Sequence, residues 1–76
     1  MELDKIFKII IRNDCITTYE LTKLGYIDED IVELIDDGYL RRRERGVYVL
    51  ADPEKLLEYA RLIKDRKPDF YNELIK

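Results

Sequence analysis

The feature that most constrains the fold of this chain is a change of hydrophobic period at Gly38. Over residues 28–38, apolar side chains recur at the i, i+3, i+4 spacing that places them on one face of a helix. Residues 39–43 and 47–51 instead read as two short strands, and residues 44–46 supply a turn that contains glycine. This stretch therefore predicts a helix followed directly by a tight β-hairpin.

The ends of this helix carry their own signals. Asp28 is predicted to be the N-cap, because its carboxylate can accept from the free N–H groups of the first turn. Ile27 is expected to pack on Val32 as a hydrophobic staple. Gly38 is expected to end the helix with a positive φ, which glycine adopts without a Cβ clash.

A second, shorter helix is predicted before it, over residues 18–24. Thr17 is expected to be its N-cap and Glu20 to complete a capping box, in which each side chain accepts from the other residue's backbone N–H. Gly25 is expected to end this helix in a left-handed turn. Two capped helices separated by a few residues predict a helix-turn-helix over about residues 17–38.

Near the N-terminus, apolar residues at helical spacing predict a first helix over residues 2–13. Its buried stripe is expected to contain Leu3, Ile6, Phe7, Ile10 and Ile11. Ile9 falls outside this stripe and is expected to be exposed or half-exposed. One face of this helix should therefore lie in the core.

The C-terminal part of the chain predicts two further helices. Asp52 and Pro53 mark the start of the first, because Asp suits the N-cap and the missing N–H of Pro is harmless at N1. This helix is predicted to run to about Arg66 and to pack on the first helix. Its stripe is expected to contain Leu56, Tyr59, Ala60 and Ile63, with Leu57 and Leu62 widening it.

A last short helix is predicted after Pro68, with Asp69 as its cap. Its apolar edge consists of Phe70, Tyr71, Leu74 and Ile75. A helix this short does not hold itself without tertiary contacts. Its edge is therefore expected either to cover the domain's own core or to dock on a second copy or another protein chain.

Size and composition exclude several classes of protein. Seventy-six residues make one small domain. Cys15 is the sole cysteine and histidine is absent, so neither an internal disulfide nor a zinc site is expected, and no cofactor is predicted. Because the chain also lacks serine and offers Cys15 no obvious base, it is not expected to be an enzyme. It has neither a long apolar run nor a basic leader segment, which favours a cytoplasmic protein without a membrane partner.

The net charge of −3 hides an asymmetry between the two halves of the chain. Residues 1–38 hold ten acids against four bases, whereas residues 39–76 hold ten bases against seven acids. Such a division favours a surface with one face suited to a polyanion, although it also fits a domain that is simply well solvated.

Four arginines cluster around the predicted turn and are the candidate nucleic-acid-binding residues: Arg41, Arg42, Arg43 and Arg45. The planar guanidinium group offers paired donors to a phosphate. Strand alternation predicts that Arg41 and Arg43 share one face and that Arg42 lies on the other. The alternative is that these arginines pair within the domain with carboxylates of the preceding helix, namely Glu33, Asp36 or Asp37.

The motifs of residues 16–50 resemble a known family. They are Ile16-Thr17-Thr18 with Glu20-Leu21, then Gly25, Leu34, Gly38, Leu40-Arg41-Arg42 and Arg45-Gly46-Val47-Tyr48-Val49-Leu50. Over roughly residues 4–52 the chain is similar to the N-terminal winged-helix domain of AbiE-type abortive-infection antitoxins and related small bacterial or phage transcriptional regulators. The resemblance implies operator binding, with the second helix of the motif in the major groove and the hairpin, or wing, on the DNA backbone.

One feature departs from that family. The outer positions of the second helix usually carry basic or hydroxyl side chains, but here the helix carries only acids: Asp28, Glu29, Asp30, Glu33, Asp36 and Asp37. Carboxylates oppose contact with phosphates. This favours an alternative function, a protein-interaction module whose acidic helix binds a basic partner. A third interpretation is that the helix imitates the charge of DNA.

The prediction is thus a mainly α-helical single domain of residues 1–76 with a small β-hairpin, a winged helix-turn-helix with a C-terminal helical extension. The wing is placed at about residues 39–51 and the C-terminal helices at about residues 53–75. Its leading function is docking on duplex DNA as a transcriptional regulator.

Overall fold

The computed structural model of the chain describes the backbone of residues 3–75 and the side chains of residues 3–74. This part of the chain is mainly helical and contains one three-stranded antiparallel sheet in the order β1-β3-β2. In chain order the elements are α1 (Asp4–Asn13), β1 (Ile16–Thr17), α2 (Thr18–Lys23), α3 (Asp28–Asp36), β2 (Leu40–Glu44), β3 (Val47–Leu50), α4 (Pro53–Leu62) and α5 (Pro68–Ile75).

The sheet has one strand more than the hairpin predicted from the sequence. In β1, Ile16 pairs with Tyr48 and Thr17 pairs with Val47, so β3 becomes the central strand. A two-residue strand has no alternation of its own and forms only because β3 presents free backbone groups beside it. As a result, the hairpin is joined to the segment that leads into α2.

The predicted capping box at the start of α2 and the predicted glycine turns after α2 and α3 are confirmed. Thr17 Oγ1 accepts from the Glu20 N–H at 3.2 Å, and Glu20 Oε1 accepts from the Thr17 N–H at 3.0 Å, which completes the capping box. Gly25 and Gly38 have φ values of 96° and 86°. In each glycine turn the following residue donates its N–H to the carbonyl five positions earlier at 3.0 Å: Tyr26 to Leu21, and Tyr39 to Leu34.

Helix α3 begins at Asp28, but the predicted N-cap is wrong by one residue. Ile27, not Asp28, occupies the N-cap position, and Asp28 is already helical. The Ile27 side chain cannot accept a hydrogen bond, so capping comes from Asp30, whose carboxylate accepts from the Ile27 N–H at 3.0 Å. Asp30 therefore supplies one of the two hydrogen bonds that make up a capping box.

This shift also overturns the predicted staple. Ile27 and Val32 are 59% and 56% exposed. With the cap at Ile27, the two staple positions become Tyr26 and Ile31, and both side chains are buried in the core. Two apolar residues expected to be covered are thus left on the surface of α3.

The core centres on Phe7 of α1. Its ring lies 5.9 Å from Tyr39, 5.6 Å from Tyr59 and 6.4 Å from Phe70, measured between ring centroids. The other buried side chains of α1 follow the predicted stripe, namely Leu3, Ile6 and Ile10. Ile11 departs from the prediction because it is 44% exposed, whereas Ile9 is partly buried against the core. The predicted start of this helix at Glu2 lies outside the described residues.

The fourth helix is shorter than predicted. It ends at Leu62, and Leu62 is 80% exposed instead of widening the buried stripe. Residue 63 leaves the helix with φ of −105°, and the chain then turns towards α5. The expected packing of α4 on α1 is present, since the Tyr59 hydroxyl accepts from the Leu3 N–H at 3.0 Å and its ring contacts Phe7.

The last helix covers the domain's own core. It begins at Pro68, so Asp69 lies within its first turn and is not its cap as predicted. Phe70 is only 1% exposed, and Tyr71 and Leu74 pack partly buried against the core. The side chain of Ile75, the fourth residue of the predicted apolar edge, lies outside the described residues. The apolar edge of α5 therefore packs on the domain's own core, which is the first of the two alternatives predicted for it.

Candidate nucleic-acid interface

The hairpin that carries the four arginines contains a bulge. Leu40, Arg41 and Arg42 pair with Leu50, Val49 and Tyr48, and Glu44 then pairs with Val47. Arg43 is left as the extra residue of β2, so the turn shortens from the predicted residues 44–46 to Arg45 and Gly46. A bulge increases the local twist of the strand pair, which re-aims the side chains beside it. The position of the bulge is therefore part of the geometry of the site.

The tip of the hairpin is held against α2. The Thr18 N–H, at the first residue of α2, donates to the Gly46 carbonyl at 3.0 Å. Gly46 has φ of 74°, which permits the tight turn that brings this carbonyl into position. The hairpin that carries the arginines is thus hydrogen-bonded to β1 along one edge and to α2 at its tip, so it is not a free arm.

The four arginines divide into two pairs on the two faces of the hairpin. Arg41 and Arg43 line a groove of about 360 Å³, here termed the α1 groove, together with Ile11, Asp14, Leu50 and Leu56. Arg42 and Arg45 line a separate groove of about 440 Å³, here termed the α3 groove, together with Thr18, Asp28, Val32 and Ile35. The predicted sharing of one face by Arg41 and Arg43 is confirmed.

All four arginine side chains are exposed. Within residues 3–74, none of them forms an ion pair with a carboxylate of α3, so the predicted alternative of pairing with Glu33, Asp36 or Asp37 is not seen. Arg43 lies 3.5 Å from Glu44 in a pair whose side chains are 49% and 65% exposed. Exposed pairs of this kind contribute only about 0–1 kcal/mol, so Arg43 can exchange Glu44 for another anion at little cost.

One arginine has an aromatic contact. The guanidinium carbon of Arg42 lies 5.9 Å from the centroid of the Tyr48 ring. Tyr48 is buried near the tip of the hairpin and pairs with both Arg42 and Ile16 across the sheet. This contact restrains Arg42 on its own face of the hairpin.

The charge surrounding the two grooves differs. The α3 groove includes Asp28 and adjoins a helix that has no base. The α1 groove includes one carboxylate, Asp14, while exposed Lys8 lies one helical turn before Ile11 on the same side of α1. An anion is therefore attracted more strongly to the α1 groove than to the α3 groove.

The outer face of α3 forms a regular stripe, whose acids belong to the acidic helix predicted from the sequence, whereas Val32 was predicted to pack against Ile27. Four exposed residues recur at i, i+3, i+4 and i+7 spacing: Glu29, Val32, Glu33 and Asp36. The helical spacing that predicted the buried face also places these four residues on a second face. Val32 is the apolar residue of this second face and lies outside the core stripe. Within the described part of the chain, no three His, Cys, Asp or Glu residues are placed to hold a metal ion.

No protein-family model, curated protein or solved structure matches the chain. The resemblance to AbiE-type antitoxins stays a prediction. Among residues 3–75, none of the helices has the length and apolar character needed to cross a membrane.

Proposed function

We propose that this chain is a winged-helix domain that docks on duplex DNA as a small, non-enzymatic transcriptional regulator. The contact is made mainly by Arg41 and Arg43 with phosphates of the DNA backbone. The observation that carries the proposal is the position of these two arginines: they are exposed, they line the α1 groove, and they are not paired with the acids of α3.

The order of the elements supports the winged-helix assignment. Three helices and a short strand precede the hairpin, and the sheet order β1-β3-β2 places the hairpin beside the segment that leads into α2. The bond from Thr18 to Gly46 holds the hairpin tip next to the helix pair α2 and α3. A helix-turn-helix with an attached basic ribbon is an arrangement used to contact DNA.

The acids of α3 determine how the DNA is approached. In the usual docking of a helix-turn-helix, the second helix enters the major groove. Here that helix presents Glu29, Glu33 and Asp36 outward, and phosphates on both sides of the groove would repel them. The proposed complex is therefore led by the hairpin, with α3 turned away from the duplex. Contacts to phosphates position a protein but carry no base information, so sequence preference in this complex is low.

The test is fluorescence polarisation of a labelled duplex from the region upstream of the gene, with a scrambled duplex alongside. Wild type, Arg41→Ala/Arg43→Ala and the matched control Arg42→Ala/Arg45→Ala are compared across a series of salt concentrations. Two phosphate contacts predict a slope of about −1.8 in log K against log salt concentration. The salt dependence and most of the affinity should be lost in Arg41→Ala/Arg43→Ala and retained in Arg42→Ala/Arg45→Ala.

Two results would overturn the proposal. One is an absence of binding at low salt by protein whose circular dichroism shows it to be folded. The other is equal loss of binding in both arginine variants, which would show that overall charge and not the α1 groove determines the affinity.

A second candidate function is a protein-interaction module without DNA binding. The observation that favours it is the exposure of Ile27 and Val32, at 59% and 56%, among the carboxylates of α3. An apolar anchor surrounded by acids suits a partner with a basic surface around an apolar pocket. In that event, binding to the partner would be lost in Glu33→Lys/Asp36→Lys and retained in Arg41→Ala/Arg43→Ala.

A further inference from the structure

We propose that the α1 groove also binds the outer stripe of α3 from a second copy of this chain. The docking depends only on the groove and the stripe. Only its regulatory consequence, described below, rests on the proposed DNA-binding function.

The α1 groove combines an apolar floor with a cationic rim. Ile11 is 44% exposed there, and Leu50 and Leu56 extend the apolar surface. Arg41 and Arg43 stand on the hairpin side of this floor with exposed guanidinium groups. Such a site fits an apolar side chain that is flanked by carboxylates, because the floor removes the apolar group from water while the rim satisfies the charges.

The outer stripe of α3 has the complementary pattern. Val32 is 56% exposed at its centre, Glu29 and Asp36 lie one turn to either side, and Glu33 is its neighbour. All four are on a regular helix of nine residues, about 13 Å long. The stripe therefore presents one apolar anchor and three carboxylates on a rigid element, in the arrangement that the groove requires.

A second copy is the occupant that the charges favour. Within one molecule Val32 lines the α3 groove beside Arg42 and Arg45, but among residues 3–74 no carboxylate of the stripe forms an ion pair with an arginine of the hairpin. The three carboxylates of the stripe and the two guanidinium groups of the α1 groove carry opposite charges, so the stripe of one copy is complementary to the groove of another. Because the contact area is one face of a short helix, the association is weak and reversible.

The docking would regulate the proposed DNA binding. Phosphates and the carboxylates of α3 would compete for the same two guanidinium groups, so DNA and a second copy could not occupy the α1 groove together. Protein at high concentration would block its own DNA-binding site, and DNA would dissociate the self-assembled form.

Sedimentation equilibrium without DNA tests the docking. The weight-average mass of the wild type should rise above the 9.2 kDa of one chain as its concentration increases from about 10 µM to about 1 mM at low salt, and should return to 9.2 kDa at about 1 M salt. Three charge-reversed variants are run beside it: Arg41→Glu/Arg43→Glu in the groove, Glu33→Lys/Asp36→Lys in the stripe, and Arg61→Glu/Lys64→Glu as a control with the same charge change at exposed positions outside both surfaces.

The expected pattern is specific to this contact. The groove variant and the stripe variant should each remain at the mass of one chain, whereas the control should associate like the wild type. An equimolar mixture of the groove and stripe variants should associate again, since each supplies the surface that the other lacks. Circular dichroism checks folding, and the corresponding Gln variants replace any charge-reversed protein that fails to fold.

The proposal is overturned if the wild type keeps the mass of one chain at low salt, if the mixture does not associate, or if the control loses association to the same extent. The DNA-binding proposal is tested separately by polarisation at protein concentrations well below those that give self-association. If the chain does not self-associate but still binds DNA, the docking proposal is wrong. If it self-associates but does not bind DNA, the DNA-binding proposal is wrong.

Discussion

The Nζ atom of Lys67 lies 3.5 Å from Oδ2 of Asp4 and ties the start of α1 to the residue immediately before α5. Asp4 is only 2% exposed, while the Lys67 side chain is 44% exposed. The other carboxylate oxygen of Asp4 makes no hydrogen bond within the described residues, and Asp4 lines a small cavity with Tyr59 and Arg66. A buried carboxylate in the first turn gains from the helix dipole, but it depends heavily on this one lysine.

The first prediction concerns this pair. Lys67→Ala should lower the free energy of unfolding by about 1–2 kcal/mol, a value reduced for the solvent that reaches Lys67. Adding Asp4→Asn should recover part of the loss, because the amide carries no charge that needs a partner. Urea unfolding of the wild type, both single variants and the double variant gives the interaction energy. Additive effects of the two substitutions would contradict this account.

The second prediction concerns the left-handed turn after α2. A Cβ at Gly25 would meet nothing within 4 Å, so its φ of 96° is the sole constraint at this position. Gly25→Ala should therefore cost about 1–2 kcal/mol of stability, whereas Gly25→Asn should cost clearly less because Asn tolerates positive φ. Thermal unfolding followed by circular dichroism compares the two. Equal destabilisation would mean that space, and not backbone conformation, limits the site.

The third prediction separates the two acids at the start of α3. Asp30→Ala should be more destabilising than Asp28→Ala by about 0.5–1 kcal/mol, because both variants lose a favourable charge near the helix N-terminus but only Asp30→Ala loses the bond from the Ile27 N–H. Denaturant midpoints at equal m-values measure the difference. A larger loss of stability in Asp28→Ala than in Asp30→Ala would indicate that Asp28 is the cap.

The fourth prediction compares two neighbouring aliphatic residues at the end of α4. Ile63 is 3% exposed and Leu62 is 80% exposed. Ile63→Ala should cost about 2–4 kcal/mol through the cavity it leaves, whereas Leu62→Ala should change stability by less than about 0.5 kcal/mol. Urea titrations of the two variants under identical conditions make the comparison. A large effect at Leu62 would show that this side chain is covered in solution, for example by a partner chain.

The fifth prediction rests on the proposed DNA contact. Glu44→Gln removes the carboxylate that lies 3.5 Å from Arg43 and should raise affinity for duplex DNA about 2- to 5-fold at low salt. Glu73→Gln removes the same charge from α5 and serves as the control. Polarisation with the same labelled duplex measures both. An equal gain in the two variants would indicate an effect of net charge instead of a local contact at Arg43.

Much of the candidate site was predictable, and the reason is its locality. The clustering of the four arginines, and the sharing of one face by Arg41 and Arg43, follow from positions within a single strand and turn. The bulge at Arg43 was not predictable, because its place depends on which residue of β3 each arginine meets. The apolar floor contributed by Ile11 was missed because helical spacing placed Ile11 inside the core.

The sequence by itself determined the features whose partners lie within about one turn of the chain. The Thr17–Glu20 capping box, the glycine turns at Gly25 and Gly38 and the change from helix to hairpin belong here, since each depends on local hydrogen bonds and φ preferences. The tertiary structure alone decided the rest. It created β1 by bringing Ile16 beside Tyr48, and it covered Phe7 with α5. It also left Val32 in water, because neighbours distant in sequence choose which apolar side chains the core can hold.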